Sequence, residues 1–191
     1  DQSAFVAAVA QAVSVAETGL VVTIGISPTH ASTAFGYIQA GSALAGFETA
    51  RAVTAFVEKP DAKRASEFLS TGEYFWNAGM FVVRASVLLD LLRETEPELV
   101  QTVVKLAEVW HTDARADALT ELWPALHKVA IDYSVAEPAA AAGIVAVVPA
   151  SFSWHDVGDF AAIAELQSQG RSGNLAVLGN AKVLADSSSG I

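Results

Sequence analysis

Glu58-Lys59-Pro60, Trp76-Asn77-Ala78-Gly79-Met80-Phe81 and Trp154-His155-Asp156-Val157-Gly158-Asp159 are the stretches whose residue types could do chemistry. Glu58-Lys59-Pro60 closes a run with strand character, and in α/β sheets ligands collect outside the strand ends. A carboxylate there accepts hydrogen bonds from hydroxyls, and an adjacent lysine pairs with a phosphate. The same triplet also reads as a solvated charged turn closed by proline. In the second stretch, Asn77 can donate to or accept from a hydroxyl, and Gly79 permits close approach of backbone or ligand. Its alternative is a strand-entry turn with Trp76 and Phe81 in the core. In the third, Asp156 sits where a carboxylate could hold a divalent cation against a phosphate. Asp159 reads as a helix N-cap, and His155 as a structural or exposed side chain.

Asp132 and Glu137 form a further carboxylate pair, five positions apart. On an α-helix their offset is about 500°, so they do not share one face cleanly. Glu137, before Pro138, could point into a cleft or lie on the surface. His30, His111 and His127 have no paired metal spacing. No G-x-S-x-G, phosphate-binding loop or dinucleotide glycine fingerprint is present.

The elements that must position these residues follow from periodicity. Phe5, Ala8, Val9, Ala12, Val13 and Ala16 form the stripe of an amphipathic helix, capped near Asp1 and stopped by Gly19. Residues 20–26 are a Val- and Ile-rich run expected to be a buried strand. A short strand is expected at 35–38, a glycine-rich turn at 41–46, and a strand over 50–58 ending at Pro60. Asp61 caps a helix through Leu69, with Gly72 beyond it. A strand is expected over 78–84, helix from 86 to about 135 broken at Pro97 and Pro124, and a strand over 144–148 stopped by Pro149. A helix over 159–167 precedes a boundary at 169–173, after which short β pieces follow at 175–178 and 182–184. Interleaved strands and helices make the class α/β with a mixed sheet.

Composition narrows the function classes. A 191-residue chain that is 52% hydrophobic and 17% charged is a folded one. Its formal net charge of -10 argues against a duplex nucleic-acid binder. No apolar run reaches the ~18 residues that a membrane span needs. With no cysteine, disulfide frameworks and thiolate chemistry are excluded, which suits a cytoplasmic protein. The first residues, led by Asp1, do not read as a signal peptide. The chain reads as a piece of a longer protein.

Taken in order, Thr23-Ile24-Gly25-Ile26-Ser27-Pro28-Thr29, Phe35-Gly36-Tyr37-Ile38, Phe56-Val57-Glu58-Lys59-Pro60, Trp76-Asn77-Ala78-Gly79-Met80-Phe81, Ile131-Asp132-Tyr133, Glu137 and Trp154-His155-Asp156-Val157-Gly158 resemble the mannose-1-phosphate guanylyltransferases (GDP-mannose pyrophosphorylases) among sugar nucleotidyltransferases. The likeness holds in register over residues 1–160, and the Trp-Asn-x-Gly-Met-Phe form favours the mannose branch. It implies a Rossmann-like nucleotidyltransferase domain, here residues 1–170, followed at 171–191 by the start of a left-handed β-helix segment. It implies transfer of a guanylyl group from GTP to mannose 1-phosphate with Mg²⁺, giving GDP-mannose and pyrophosphate. By this resemblance, Gly36 offers backbone contact to the sugar, Glu58, Asn77 and Glu137 hold hydroxyls, Lys59 holds the phosphate, and Asp156 binds the metal. Lys59 and Asp156 are then the catalytic candidates. No nucleic acid or membrane partner is implied, and a homodimer is left open.

The family's G-x-G-x-R-x-x-P-[LI] signature and its Asp-His pair, whose Asp is the second metal carboxylate, do not occur here. Phe35 stands where the family usually has Tyr. The reading is therefore the sugar-phosphate half of such an enzyme, inactive alone. The alternatives are a nucleotidyltransferase for another sugar 1-phosphate, or a non-catalytic regulatory or scaffolding homologue.

Overall fold

The computed structural model describes residues 1–158 together with Phe160, Ala162 and Ile163. The chain divides into two compact units, Asp1–Phe152 and Ser153–Ile191.

The first unit opens with α1 (Gln2–Ala16), whose N-terminal Ala4 N–H donates to the Asp1 carboxylate at 3.1 Å. Gly19 ends the helical path at φ 95°, a conformation that costs glycine little. Ala8, Ala12, Val15 and Ala16 are the buried face, so α1 approaches the sheet through small side chains. Phe5 and Val13, expected on that face, are 39% and 44% exposed. Val13 lies about 100° around the helix from Ala12. Phe5 sits near the helix start, edge-on to Phe152 at 5.5 Å.

The chain continues through β1 (Val21–Ile26), β2 (Tyr37–Ala43), β3 (Arg51–Val57), α2 (Ala62–Thr71) and β4 (Tyr74–Val82). It then runs through α3 (Ala85–Thr95), α4 (Pro97–Val109), α5 (Arg115–Leu122), a 3₁₀ turn (Trp123–Ala125), a π-helical turn (Asp132–Ala136), α6 (Glu137–Ala141) and β5 (Val145–Ala150). The caps foreseen for α2 are present. Asp61 accepts from Arg64 N–H at 2.8 Å, and Gly72 follows in the left-handed region. Pro97 stands in the first turn of α4, where its missing N–H removes no helical bond.

The strands pair in the order β1-β4-β2-β3-β5, and β5 pairs back with β1 to close the ring. The β1–β5 pair is parallel and the others antiparallel. The sheet is therefore mixed, and helices pack on it. Every residue of β1 is buried, which explains why the run is Val- and Ile-rich with Thr23 as its one polar side chain.

Several boundaries differ from the sequence expectation: the helical stretch expected from 86 to about 135 also breaks at 110–114 and 126–130, and β2, β4 and β5 shift. β4 starts at Tyr74 rather than at 78, because Tyr74, Phe75 and Trp76 pair with Gln39, Ile38 and Tyr37 of β2. Asn77 is therefore inside a strand, not ahead of one. β2 runs on to Ala43, so Gly41 belongs to the strand and the turn comes later. β5 runs through Pro149, which is aligned with Gly25 of β1. Pairing of β5 with β3 involves only Val147 and Ala146. Among the described residues, no strand pairs with β5 at Pro149 on that side, and a missing N–H is tolerated there.

The core cluster joins Val21, Ile38, Val53, Phe56, Val145 and Val147 from the sheet to Ala136, Ala139 and Ala140. Those alanines seat the π-helical turn and α6 against the sheet, which matters for the site below. In the second unit, residues 153–158 lack regular structure, and Phe160, Ala162 and Ile163 are helical. The rest of the helix expected over 159–167, the N-cap at Asp159, the boundary at 169–173 and the β-helix segment lie outside the described residues. Among the described residues, no helix is long and apolar enough to cross a membrane.

Candidate active site

Strand register assembles the site. β2 and β3 pair with Tyr37 opposite Val57, so Gly36 and Glu58, each one residue beyond its strand, meet at the same end. β4 lies on the other side of β2 with Trp76 opposite Tyr37. The next residue, Asn77, donates its backbone N–H to the Gly36 carbonyl at 2.8 Å. Three segments far apart in sequence thereby converge on one spot. Gly36 leaves room there for the Glu58 carboxylate. A Cβ at that position would stand 2.6 Å from Glu58 Oε2 and 3.3 Å from the Asn77 Cβ.

Asn77 is 8% exposed, and its carboxamide is held at both ends. Oδ1 accepts from Thr23 Oγ1 at 2.7 Å and from Gly79 N–H at 3.1 Å. Nδ2 donates to Asp132 Oδ1 at 3.1 Å. The Gly79 contact depends on a bulge. Thr23 is aligned with Phe81 and Gly25 with Asn77, so residues 78–80 of β4 stand opposite Ile24 alone. Gly79 takes φ 69° within it, as a left-handed bulge position prefers. Trp76 is core, as one reading had it, at 5% exposure. It meets Phe35 and His30 edge-on, each at 4.9 Å between ring centroids. Phe81 packs against the core cluster.

An α-helical spacing would keep Asp132 and Glu137 off a common face. The helical turn between them is π, not α, and Glu137 N–H donates to the Asp132 carbonyl across five residues. Five positions then make little more than one turn, which brings the two carboxylates towards the same side. Ser134, Val135 and Ala136 are buried beneath the turn. Both carboxylates act on Glu58, whose side chain is 12% exposed. Burial above all pushes the Glu58 carboxyl above its ordinary value; the charge of Asp132 adds to this, Lys59 opposes it, and Glu137 contributes further.

Lys59 Nζ lies 3.7 Å from Glu58 Oε1, and the lysine side chain is 62% exposed. Its backbone has φ 45°, the one left-handed non-glycine among the described residues. The residue before a proline normally prefers extended backbone, so Lys59 is held in an unfavourable conformation between Glu58 and the buried Pro60. Strain of this kind gathers at functional sites.

Gly36, Glu58, Lys59, Asn77 and Glu137, proposed from sequence, thus belong to one constellation in the first unit. Asp156 belongs to the second unit, exposed on irregular backbone. Its hard oxygen donors suit Mg²⁺, which takes one or two carboxylates and completes its shell with phosphate and water. Among the described residues, no three His, Cys, Asp or Glu side chains are grouped to hold a metal. Sequence reasoning missed Thr23 and Asp132 as site residues. Thr23 left a signal, as the lone hydroxyl in the apolar run of β1. Asp132 is hidden by an α-helical offset that the π-turn replaces. Carboxylates, an amide with a spare N–H and a flanking ammonium suit a polyol bearing a phosphate.

A nucleotidyl transferase family model matches residues 1–172. The xanthan biosynthesis protein XanB of Xanthomonas campestris pv. campestris (strain B100) is 40% identical over 175 residues, covering 91% of this chain and 36% of that protein. The mannose-1-phosphate guanylyltransferase of Escherichia coli (strain K12) is 36% identical over 180 residues, covering 92% of this chain and 37% of its own. The chain thus spans little more than a third of the length of these relatives. A solved structure from Thermus thermophilus, described as a mannose-1-phosphate geranyltransferase, superposes with a TM-score of 0.76 at 30% identity, over 94% of this chain and 49% of that one.

Proposed function

The chain belongs to the nucleotidyl transferase family, and from that premise we propose that it supplies the sugar-phosphate half of a mannose-1-phosphate guanylyltransferase. The reaction is an in-line displacement. An oxygen of the sugar phosphate attacks the α-phosphorus of GTP, a new P–O bond forms, and pyrophosphate leaves with the electron pair of the broken one. Such a step needs positioning and charge compensation more than a protein nucleophile.

Glu58, Asn77 and Glu137 hold sugar hydroxyls, and Gly36 gives the sugar its backbone contact. Lys59 meets the sugar phosphate and offsets part of the charge that builds when two anions approach. Asp156 is the residue that would hold Mg²⁺, which when bound supplies further neutralisation at the phosphates. Relatives named for mannose-1-phosphate guanylyltransferase, xanthan and alginate biosynthesis support GDP-mannose as the product.

The observation that carries this reading is the meeting of Gly36, Glu58 and Asn77 at one end of β2, β3 and β4, beside a lysine in strained backbone. The test is calorimetric titration of the 191-residue chain with mannose 1-phosphate, glucose 1-phosphate and free mannose. Mannose 1-phosphate should bind tightest. Stronger binding of glucose 1-phosphate would change the sugar, and no binding of either phosphate would favour the scaffolding homologue.

A further inference from the structure

We propose that Thr23 and Asp132 are positioning residues that lock the Asn77 carboxamide as a pure donor, and so dictate the hydrogen-bond polarity of the sugar hydroxyl it meets. The proposal rests on the sugar-phosphate reading above.

The orientation of an asparagine amide usually has to be inferred from its partners. Here the chemistry at both ends is one-directional. Gly79 N–H can only donate, so the atom it meets must be Oδ1. An ionised Asp132 carboxylate can only accept, so the atom it meets must be Nδ2. Thr23, 0% exposed, adds its hydroxyl as a second donor to Oδ1. A carbonyl oxygen has two lone pairs, and both are then taken. Nδ2 has two hydrogens, and one is taken. Asn77 is left with one N–H and no acceptor.

A hydroxyl facing that N–H must accept from it. Its own hydrogen then goes to a carboxylate, and Glu58 is the one the strand register brings beside Asn77. An asparagine free to flip would tolerate either polarity, and with it either of two hydroxyl arrangements on the ring. The lock removes that tolerance. The residues making it come from β1 and the π-helical turn, 54 and 55 positions away from Asn77. Thr23 reaches the ligand only through Asn77, whereas Asp132 also bears on Glu58 through its charge.

The test is titration of the 191-residue chain and its Thr23→Val and Asp132→Asn variants with mannose 1-phosphate and each of its monodeoxy analogues. Thr23→Val keeps the shape and deletes the donor; Asp132→Asn keeps the size and deletes the obligate acceptor. Each variant should bind mannose 1-phosphate about five- to tenfold more weakly, the worth of a neutral hydrogen bond. Against the one analogue that lacks the contacted hydroxyl, variants and unsubstituted chain should bind alike. Thr23→Ser should recover most of the loss.

A uniform loss across every analogue would mean that Thr23 and Asp132 serve only the fold, and would overturn the proposal. So would unchanged affinity in both variants while the unsubstituted chain still binds. Absence of binding by the unsubstituted chain would overturn the functional reading, and the proposal with it. Should Thr23→Val fail to fold, the same comparison is read from Asp132→Asn, whose side chain is only half-buried.

Discussion

Lys59 couples two separable properties, an ammonium beside Glu58 and a backbone at φ 45°. Lys59→Ala and Lys59→Gly remove the same charge but differ in backbone cost. Both should weaken mannose 1-phosphate binding roughly ten- to hundredfold, the range for a charge-assisted contact. Lys59→Gly should be about 1–2 kcal/mol more stable than Lys59→Ala in urea denaturation, because glycine enters the left-handed region freely. Equal stability of the two would mean the strain is not real. Glu58 is the second test at this scale. Its carboxyl is raised above the ordinary value chiefly by burial, so the folded chain binds that proton more tightly than the unfolded chain. Ionising Glu58 therefore destabilises as pH rises from the unfolded to the folded value, and above it the cost is fully present. Glu58→Gln should melt at or above the unsubstituted chain at neutral pH. That advantage should vanish below about pH 4, where the unfolded carboxyl is itself protonated. A lower melting temperature for Glu58→Gln at neutral pH would contradict this account, and its sugar-phosphate binding should fall at any pH where Glu58 is ionised.

Two buried glycines, Gly36 and Gly25, should separate binding from stability when replaced. At Gly36, just before β2, an added Cβ meets Glu58 Oε2 at 2.6 Å. That atom ends a flexible side chain, so it can move, but moving it takes the carboxylate from its place. Gly36→Ala should cost less than about 1 kcal/mol of stability and reduce mannose 1-phosphate affinity at least about tenfold. At Gly25, within β1, the added Cβ meets Val147 Cγ2 at 2.6 Å and Phe75 Cβ at 2.9 Å. Those atoms belong to strands packed in the ring, so Gly25→Ala should cost about 1–3 kcal/mol by overpacking. Urea midpoints and titration calorimetry on the two variants should show opposite patterns. If Gly36→Ala unfolds the chain while binding survives in the folded fraction, Glu58 is not where the ligand sits.

Across the whole molecule, the proposed sugar-phosphate ligands belong to the unit Asp1–Phe152, whereas Asp156 belongs to the unit Ser153–Ile191. Binding of the sugar phosphate and its enhancement by Mg²⁺ should therefore be separable. Asp156→Asn should leave mannose 1-phosphate affinity unchanged without metal, abolish any gain on adding Mg²⁺, and keep stability within about 1 kcal/mol, since the side chain is exposed. A variant that keeps the full Mg²⁺ response would remove Asp156 from the metal.

Local chemistry makes much of this legible from the residues alone. Asp1 and Asp61 announce helix starts, Gly19 and Gly72 announce stops, and the apolar run of β1 announces a strand covered on both sides. Glu58, Lys59 and Asn77 are legible as candidates by residue type, but the same residues also fit a charged turn and a strand-entry turn, and only the ordered set of motifs favours the ligand reading. What the sequence could not determine is whatever depends on pairing across the chain. The early start of β4 is set by β2, the passage of β5 through Pro149 by an edge with no strand partner there among the described residues, and the Asn77 lock by hydrogen bonds spanning more than fifty residues. The pairing of Asp132 with Glu137 escapes the sequence for a related reason. Periodicity assumes an α-helix, and the i to i+5 bond that brings the two carboxylates towards the same side belongs to a turn packed against the core, where tertiary contacts decide the helical repeat.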